Sequence, residues 1–429
     1  MIALHAESSV AELYQEFVIP TYGRFPIVIE RGSGTQVWDE NGVEYLDFGS
    51  GIAVCSIGHS HPRLVQAIAK QAATLIHTSN LYLTLPQASL ARRICGFMGA
   101  PGKIFFSNSG AEANEGLIKL SRKFGAGLRH EIITFEGSFH GRTMAGISAT
   151  AQEKVKIGFA PLLSDFRHVP FNDIPAILSA ITDKTVAILV EPIQGEGGIH
   201  PARAEFLWKL RTLCDEHDLL LLFDEVQCGL GRTGDWCGWK TITGDDLTPD
   251  GVSWAKGIAG GFPMGAFWVR SKTITRPDDT IADLSELLGP GTHGTTFGGT
   301  PLACAAAHAV LDVIEEENLL ANATRLGHYA LDKLLALASP HIREVRGTGL
   351  MIGIELTPDL PARTGLTGKT SSQILVSLLH DQHQLAIPAG PNVIRWLPPL
   401  NVTTEEIDRA VAGLTAAFDT LDTLLAQQK

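Results

Sequence analysis

The stretch SWAKGIAGGFPMGA, Ser253 to Ala266, holds one ionisable side chain, Lys256, among glycine, alanine and apolar residues. Desolvation disfavours the charged form of a lysine. A lysine kept partly neutral is a nucleophile and can form a Schiff base with an aldehyde. By itself the stretch also allows a lysine whose methylenes are buried and whose ammonium stays in water. A second group stands in LLLLFDEVQCGLGRTG, 219–234, where an apolar run ends directly in Asp224 and Glu225. A carboxylate at the end of a buried strand is costly without a partner. A positively charged ring nitrogen would suit Asp224, and a helix cap or an internal ion pair would satisfy either residue. The third is FFSNSGAEANEGLIKLSR, 105–122, where an apolar run meets small polar residues and then a helical pattern. N–H groups at such a helix start favour an anion such as phosphate, and Gly110 permits close backbone approach. The plain alternative is an N-cap by Asn108 or Ser109.

Three shorter motifs add to these. EGSFHGRT, 136–143, offers Phe139 as a flat stacking partner and Arg142 as a two-pronged grip for a carboxylate, or else a core phenylalanine and a surface arginine. EPIQGEGG, 191–198, sets Glu191 and Glu196 around a glycine-rich strand end, and GTHGTTFGGTPLACAAA, 291–307, supplies the hydroxyls of Thr295 and Thr296. Together they make a phosphate cradle, a ring stacker, an acid for a ring nitrogen, a lysine nucleophile and an arginine clamp. Pyridoxal phosphate needs that set. Other patterns are decoys. GLGRTG, Gly229 to Gly234, matches a dinucleotide fingerprint, but the aromatic, glycine-broken DWCGWKTITGDD follows it instead of a helix. GTGLMIG, 347–353, reads as a turn into a strand. GHSHP, 58–62, has too few neighbouring ligands for a metal, so no metal site is expected.

These groups must be carried by elements. The runs KIFFSNSG, HEIITFEGSF, TVAILVEPIQGEGG, LLLLFDEV and GAFWV lack polar alternation and are separated by helical stretches. That pattern suits strands covered on both faces of a mainly parallel sheet, so an α/β fold is expected. Ligands of open α/β sheets sit at the carboxyl ends of strands, where these polar tails fall. TQVWD and VEYLDF flanking ENG, within 31–54, predict a hairpin. Beyond residue 305 the sequence predicts one long helix (ACAAAHAV to LLALA), then IREVRGTGLMIGIEL, then a terminal helix from TTEEIDRAV. A chain of 429 residues exceeds one simple core. The expected division is an N-terminal segment, 1–65, packed with a small α+β domain at 305–429, and a large domain at 66–304.

A net charge of −12 without a basic run argues against nucleic acid as the main partner. The longest apolar runs are too short to span a bilayer. Six cysteines without a CxxC pair, and an acidic start without a signal-peptide pattern, lead to the expectation of a cytoplasmic protein.

The motifs NSGAEANE, FHGRT, EPIQGEGG, FDEVQCGLGRTG, AKGIAGGFPMGA and HGTTFGG, in this order, resemble the class III aminotransferases of fold type I, enzymes that use pyridoxal phosphate. The resemblance runs from TYGRFPIVIERGSG to VIRWLPPLNVT, nearly the whole chain, and HTSNLYLTLPQ with VRGTGLMIGIEL is most similar to the acetylornithine branch. It implies that Lys256 binds the cofactor's aldehyde and that Asp224 pairs with the ring nitrogen. Val226 and Phe139 would pack on opposite ring faces, with Gln227 near the ring hydroxyl. Gly110, Ala111 and Ser109 would hold the phosphate, joined by Thr296 from the neighbouring subunit of a homodimer. Glu225 is also counted among the cofactor contacts. Arg142 and Arg395 would hold substrate carboxylates, with Glu196 covering Arg395 when it is unused, and Thr295 and Tyr22 would complete the substrate contacts. The implied reaction is a ping-pong transfer of the terminal amine of N-acetylornithine to 2-oxoglutarate, a step of arginine synthesis. Ornithine, succinylornithine, 4-aminobutyrate and aminoadipate-semialdehyde transaminases remain alternatives, as do an amine-shifting mutase and a non-catalytic protein of this fold. Two departures concern the loop: the family usually has STFGGN where this chain has TTFGGT, so Thr295 replaces a serine and keeps its hydroxyl, and Thr300 replaces an asparagine.

Overall fold

Seven apolar runs form the central sheet of the computed structural model, which describes residues 9–427. They are β1 (Gly102–Ser107), β2 (Glu131–Phe135), β3 (Phe166–Val169), β4 (Thr185–Val190), β5 (Leu220–Asp224), β6 (Gly251–Trp254) and β7 (Gly265–Arg270). Their order across the sheet is β1-β7-β6-β5-β4-β2-β3. β7 runs antiparallel to both neighbours, and every other adjacent pair is parallel. All residues of β4, β5 and β6 are buried. Both faces are covered, which is why these runs show no polar alternation.

Helix α1 (Gly110–Phe124) leaves β1 and lies back across β6 and β7. A Cβ at Gly116 would overlap the Phe267 ring of β7, so the close approach of helix and sheet needs glycine there. The predicted hairpin forms as Gln36–Asp39 and Glu44–Asp47, turning at ENG with Gly42 at φ 78°. Its second strand pairs in parallel with Gln384–Leu385, which ties the N-terminal hairpin to the C-terminal region. That region also holds a four-stranded antiparallel sheet made by Ile342–Thr348, Met351–Leu356, Val393–Trp396 and Ile387–Pro388. The terminal helix, Thr404–Ala426, starts with a capping box between Thr403 and Glu406.

The structure departs from expectation in two places. The single helix predicted after residue 305 is two, Pro301–Glu316 and Leu319–Ala336, broken where Asn318 takes a left-handed φ of 53°. Asparagine tolerates that conformation better than most residues, so an apolar period can continue across a break in direction. The expected boundaries 65/66 and 304/305 both fall inside helices, Pro62–Ala72 and Pro301–Glu316. These two helices pack on each other, and the second also packs on the turn Lys256–Ala259. The helix Pro301–Glu316 thus supports the turn that begins at Lys256.

Gly116→Ala should destabilise the protein by about 2 kcal/mol, because a filled gap between helix and sheet must be reopened. A lower urea midpoint with an unchanged slope would show it; an unchanged midpoint would mean that α1 can shift freely on β7.

Candidate active site

A cavity of about 360 Å³ opens at the carboxyl edge of the central sheet. Its wall is made by the residues that follow the parallel strands: Asn108 to Ala111 after β1, Phe139 to Arg142 after β2, Glu191 after β4, Asp224 ending β5, and Lys256 after β6. Because β7 is antiparallel, its entrance brings Phe262 to Met264 to the same edge. Parallel neighbours with a common direction are what gather groups so distant in sequence.

Lys256 follows Ala255 with a φ of 47°, at the start of a one-turn 3₁₀ helix. A side chain in the left-handed region costs about 1–3 kcal/mol, a strain typical of functional sites. The turn is held from outside by the Ser56 hydroxyl, which donates to the Gly257 carbonyl at 2.9 Å. Burial lowers the pKa of the Lys256 ammonium, partly offset by the attraction of Glu196. The direction favours a neutral, nucleophilic amine.

Asp224 is 3% exposed. Its Oδ2 accepts from Asn114 Nδ2 at 2.7 Å and lies 2.8 Å from His140 Nδ1; its Oδ1 accepts from the Val226 N–H at 3.0 Å. Asn114 is itself fixed by the Ser253 hydroxyl, which donates to its Oδ1 at 2.6 Å. Glu191 accepts the N–H groups of Phe139 and Gly195 at 2.8 and 3.0 Å, and so pins both loops. Burial pushes the Glu191 carboxyl up to about 7. At the start of α1, Ser109 caps the helix by accepting from the Glu112 N–H. The N–H groups of Gly110 and Ala111 are among those that a helix leaves without internal acceptors. A Cβ at Gly110 would stand 2.8 Å from Val226 Cγ1, so the helix start meets Val226 only because position 110 is glycine.

At the opposite wall Arg395 is 1% exposed. Its Nη1 donates to Glu196 Oε1 at 2.6 Å and to Gln227 Oε1 at 3.0 Å, and Nη2 donates to the Pro388 carbonyl at 3.1 Å. Arg395 therefore sits behind Glu196 and Gln227, which line the cavity in its place. Arg142 is exposed at the mouth, its guanidinium 5.3 Å from the Phe139 ring centroid.

The model of the aminotransferase class III family matches residues 18–418. This chain belongs to the class III aminotransferases. An acetylornithine aminotransferase of Caldanaerobacter subterraneus subsp. tengcongensis is 46% identical over 403 residues, covering 92% of this chain and 96% of its own. Among solved structures, the ornithine aminotransferase of Toxoplasma gondii superposes with a TM-score of 0.88 at 31% identity, covering 99% of this chain and 97% of its own. The N-acetylornithine aminotransferase of Stenotrophomonas maltophilia gives 0.78 at 34%, covering 96% and 100%. The α/β architecture is fold type I, as the resemblance implied.

The aminotransferase motifs are gathered with exceptions. Lys256, Asp224, Ser109, Gly110, Ala111, Phe139, Val226, Gln227, Arg142 and Glu196 line the cavity. Glu225, expected among the cofactor contacts, does not line it. Successive residues at a strand end point opposite ways, and its carboxylate accepts the N–H groups of Gly238 and Trp239 at 2.7 and 2.8 Å. Tyr22 is likewise not brought to the cavity; it is 74% exposed in the N-terminal segment, close to Arg24. Thr296 is exposed outside the cavity of its own chain. Thr295 touches the wall indirectly, its hydroxyl accepting from Asn108 Nδ2 at 2.9 Å. Thr300 caps the helix Pro301–Glu316 by accepting from the Ala303 N–H, which is work a threonine does as readily as the asparagine it replaces. The glycines of the GLGRTG decoy lie in turns, Gly231 and Gly234 at φ 99° and 98°. Asn114 and His140 were missed. Asn114 stands one helical turn after Gly110 and so faces the same way, which was a usable signal; His140 had none beyond its place beside Phe139. Among the described residues, no cluster of three or more His, Cys, Asp or Glu is placed to hold a metal, and no helix is long and apolar enough to cross a membrane.

Burial raises the Glu225 carboxyl to about 8, against the pull of its two backbone donors. In the unfolded chain the same group ionises near pH 4. Between these values the folded protein keeps a proton that the unfolded chain has released, so this residue's contribution to stability falls as pH rises from about 4 to about 8. Unfolding free energies measured across that window should decline less steeply in Glu225→Gln than in the parent; parallel curves would contradict the assignment.

Proposed function

We propose that this aminotransferase moves the terminal amine of N-acetylornithine to 2-oxoglutarate, with pyridoxal phosphate as its cofactor. The observation that carries the reading is the unequal state of two arginines: Arg395 is closed by Glu196 at 2.6 Å, while Arg142 has no carboxylate partner among the described residues. Its sequence similarity to acetylornithine aminotransferases supports the same substrate.

The residues present fit the cofactor. The start of α1, with the N–H groups of Gly110 and Ala111, would take the phosphate, and Val226 and Phe139 bound a slot for a flat ring. Asp224, buried and held in place by Asn114 and His140, would keep a proton on the ring nitrogen. Lys256 would take the aldehyde. When bound, the cofactor supplies a carbonyl for the substrate amine and a sink for the electrons left when the neighbouring carbon loses its proton. Lys256, with its pKa lowered, is the base that takes that proton and returns it. Arg142 holds the remote carboxylate of an ω-amine, and Glu196 meanwhile neutralises Arg395. For glutamate and 2-oxoglutarate, whose carboxylate adjoins the reacting carbon, Glu196 must release Arg395, and Arg142 takes the side-chain carboxylate.

The homodimer is part of the same proposal. Thr296 lies beside His77, Tyr82 and Thr84 and next to exposed Phe297, and Leu81, Leu83 and Leu85 are also exposed nearby in sequence. Apolar side chains in such number fit a covered face better than a wet one. A neighbouring subunit there would bring its phosphate site to Thr296. A cytoplasmic location rests on the free state of all six cysteines.

Initial rates of the loaded enzyme with 2-oxoglutarate should favour N-acetylornithine over ornithine and 4-aminobutyrate by about tenfold or more in kcat/KM. Preference for another of these amines would overturn the substrate assignment while leaving the chemistry. Glu196→Ala should shift the balance toward glutamate relative to N-acetylornithine, and an unchanged ratio would remove Glu196 from the switch.

A further inference from the structure

Arg346, Gly353 and Arg395 lie side by side on three adjacent strands of the C-terminal sheet. Gly353 of Met351–Leu356 is paired with Arg346 on one side and with Arg395 on the other. Directly opposed residues of antiparallel strands share a face, so both arginines rise from the same surface with a bare position between them. The loop that carries Glu196 rests on that bare position. A Cβ at Gly353 would stand 2.9 Å from Ile199 Cβ and 3.2 Å from the Gly198 carbonyl oxygen.

Each arginine holds a different part of the loop. Arg346 Nε donates to the carbonyls of Gly198 and Ile199 at 3.1 and 3.0 Å, and Nη2 donates to Gly198 at 2.7 Å. Its remaining donor, Nη1, goes to Glu344 and Glu355 at 2.8 and 2.6 Å, which fixes the guanidinium from behind. Arg395 takes the Glu196 carboxylate. The base of the loop is closed by the pairing of Ile193–Gln194 with His200–Pro201.

We infer that Arg346 and Gly353 are specificity-determining positioning residues, which seat the Gly198–Ile199 backbone on the C-terminal sheet so that Glu196 covers and releases Arg395 by side-chain movement over a fixed loop. The inference rests on the proposed role of Glu196 as that cover. A loop free to lift would leave Arg395 uncovered more often. The form that accepts a carboxylate beside the reacting carbon would gain, and the form that accepts an ω-amine would lose.

Arg346→Lys keeps a cation against Glu344 and Glu355 but lacks the planar fork that reaches two carbonyls and two carboxylates at once. We expect its thermal midpoint to stay near the parent's and amide exchange in the peptide 193–201 to accelerate, with other peptides unchanged. The kcat/KM ratio of N-acetylornithine to glutamate should fall by about fivefold, the scale of one lost hydrogen bond. Faster exchange with an unchanged ratio would overturn the inference, as would no change in either. If Arg346→Lys does not fold, Gly353→Ala is read the same way, since its methyl group must push the loop off the sheet. If the parent prefers ornithine or 4-aminobutyrate, that amine replaces N-acetylornithine in the ratio, so a wrong substrate and a wrong positioning role give different results. A parent that accepts no ω-amine overturns the proposed function and this inference with it.

Discussion

A carboxylate that is 3% exposed at the end of a central strand is the constraint around which the site is arranged. Asp224 cannot rest there without donors, since an unpartnered buried charge costs several kcal/mol. Asn114 from α1, His140 from the loop after β2 and the Val226 N–H all converge on it. Each donor belongs to an element that also brings a wall of the cavity. The helix that holds Asn114 begins at Gly110 and Ala111, and the loop that holds His140 carries Phe139 and Arg142. Satisfying one charge thus brings Gly110, Ala111, Phe139 and Arg142 together at the cavity wall.

The second wall follows a different rule. Arg395 is as buried as Asp224, but its Nε has no partner, and Glu196 is its one carboxylate partner among the described residues. Uncovering a buried guanidinium is unfavourable unless another carboxylate arrives. Under the proposed function, exchanging Glu196 for a substrate carboxylate would keep the charge balanced in both half-reactions. On that proposal one cavity serves two amino donors whose carboxylates stand at different distances from the amine. Asp224 is held by three partners from separate elements, whereas Arg395 meets a single carboxylate, Glu196, among the described residues.

Much of this was legible in residues. Lys256 stood out as one charge in an apolar, glycine-rich stretch, and Asp224 as an acid ending an apolar run. The central strands were legible because burial on both faces removes polar alternation, and the hairpin because Asn-Gly fixes a tight turn. The failures have physical causes too. Glu225 adjoins Asp224 in sequence, but the alternation of a strand end sends it to the opposite side, where it caps another segment. The break at Asn318 was hidden because the apolar period continues on both sides of one left-handed residue.

By itself the sequence determined the class of chemistry, the family and the sheet, because each depends on residue types and spacings within a short stretch. Only the tertiary structure decided which of two adjacent acids faces the cavity. It alone decided that Arg346, Gly353 and Arg395 form one row under the Glu196 loop. Those facts depend on pairing between strands and on contacts between segments more than a hundred residues apart, and no local pattern encodes a partner that far away.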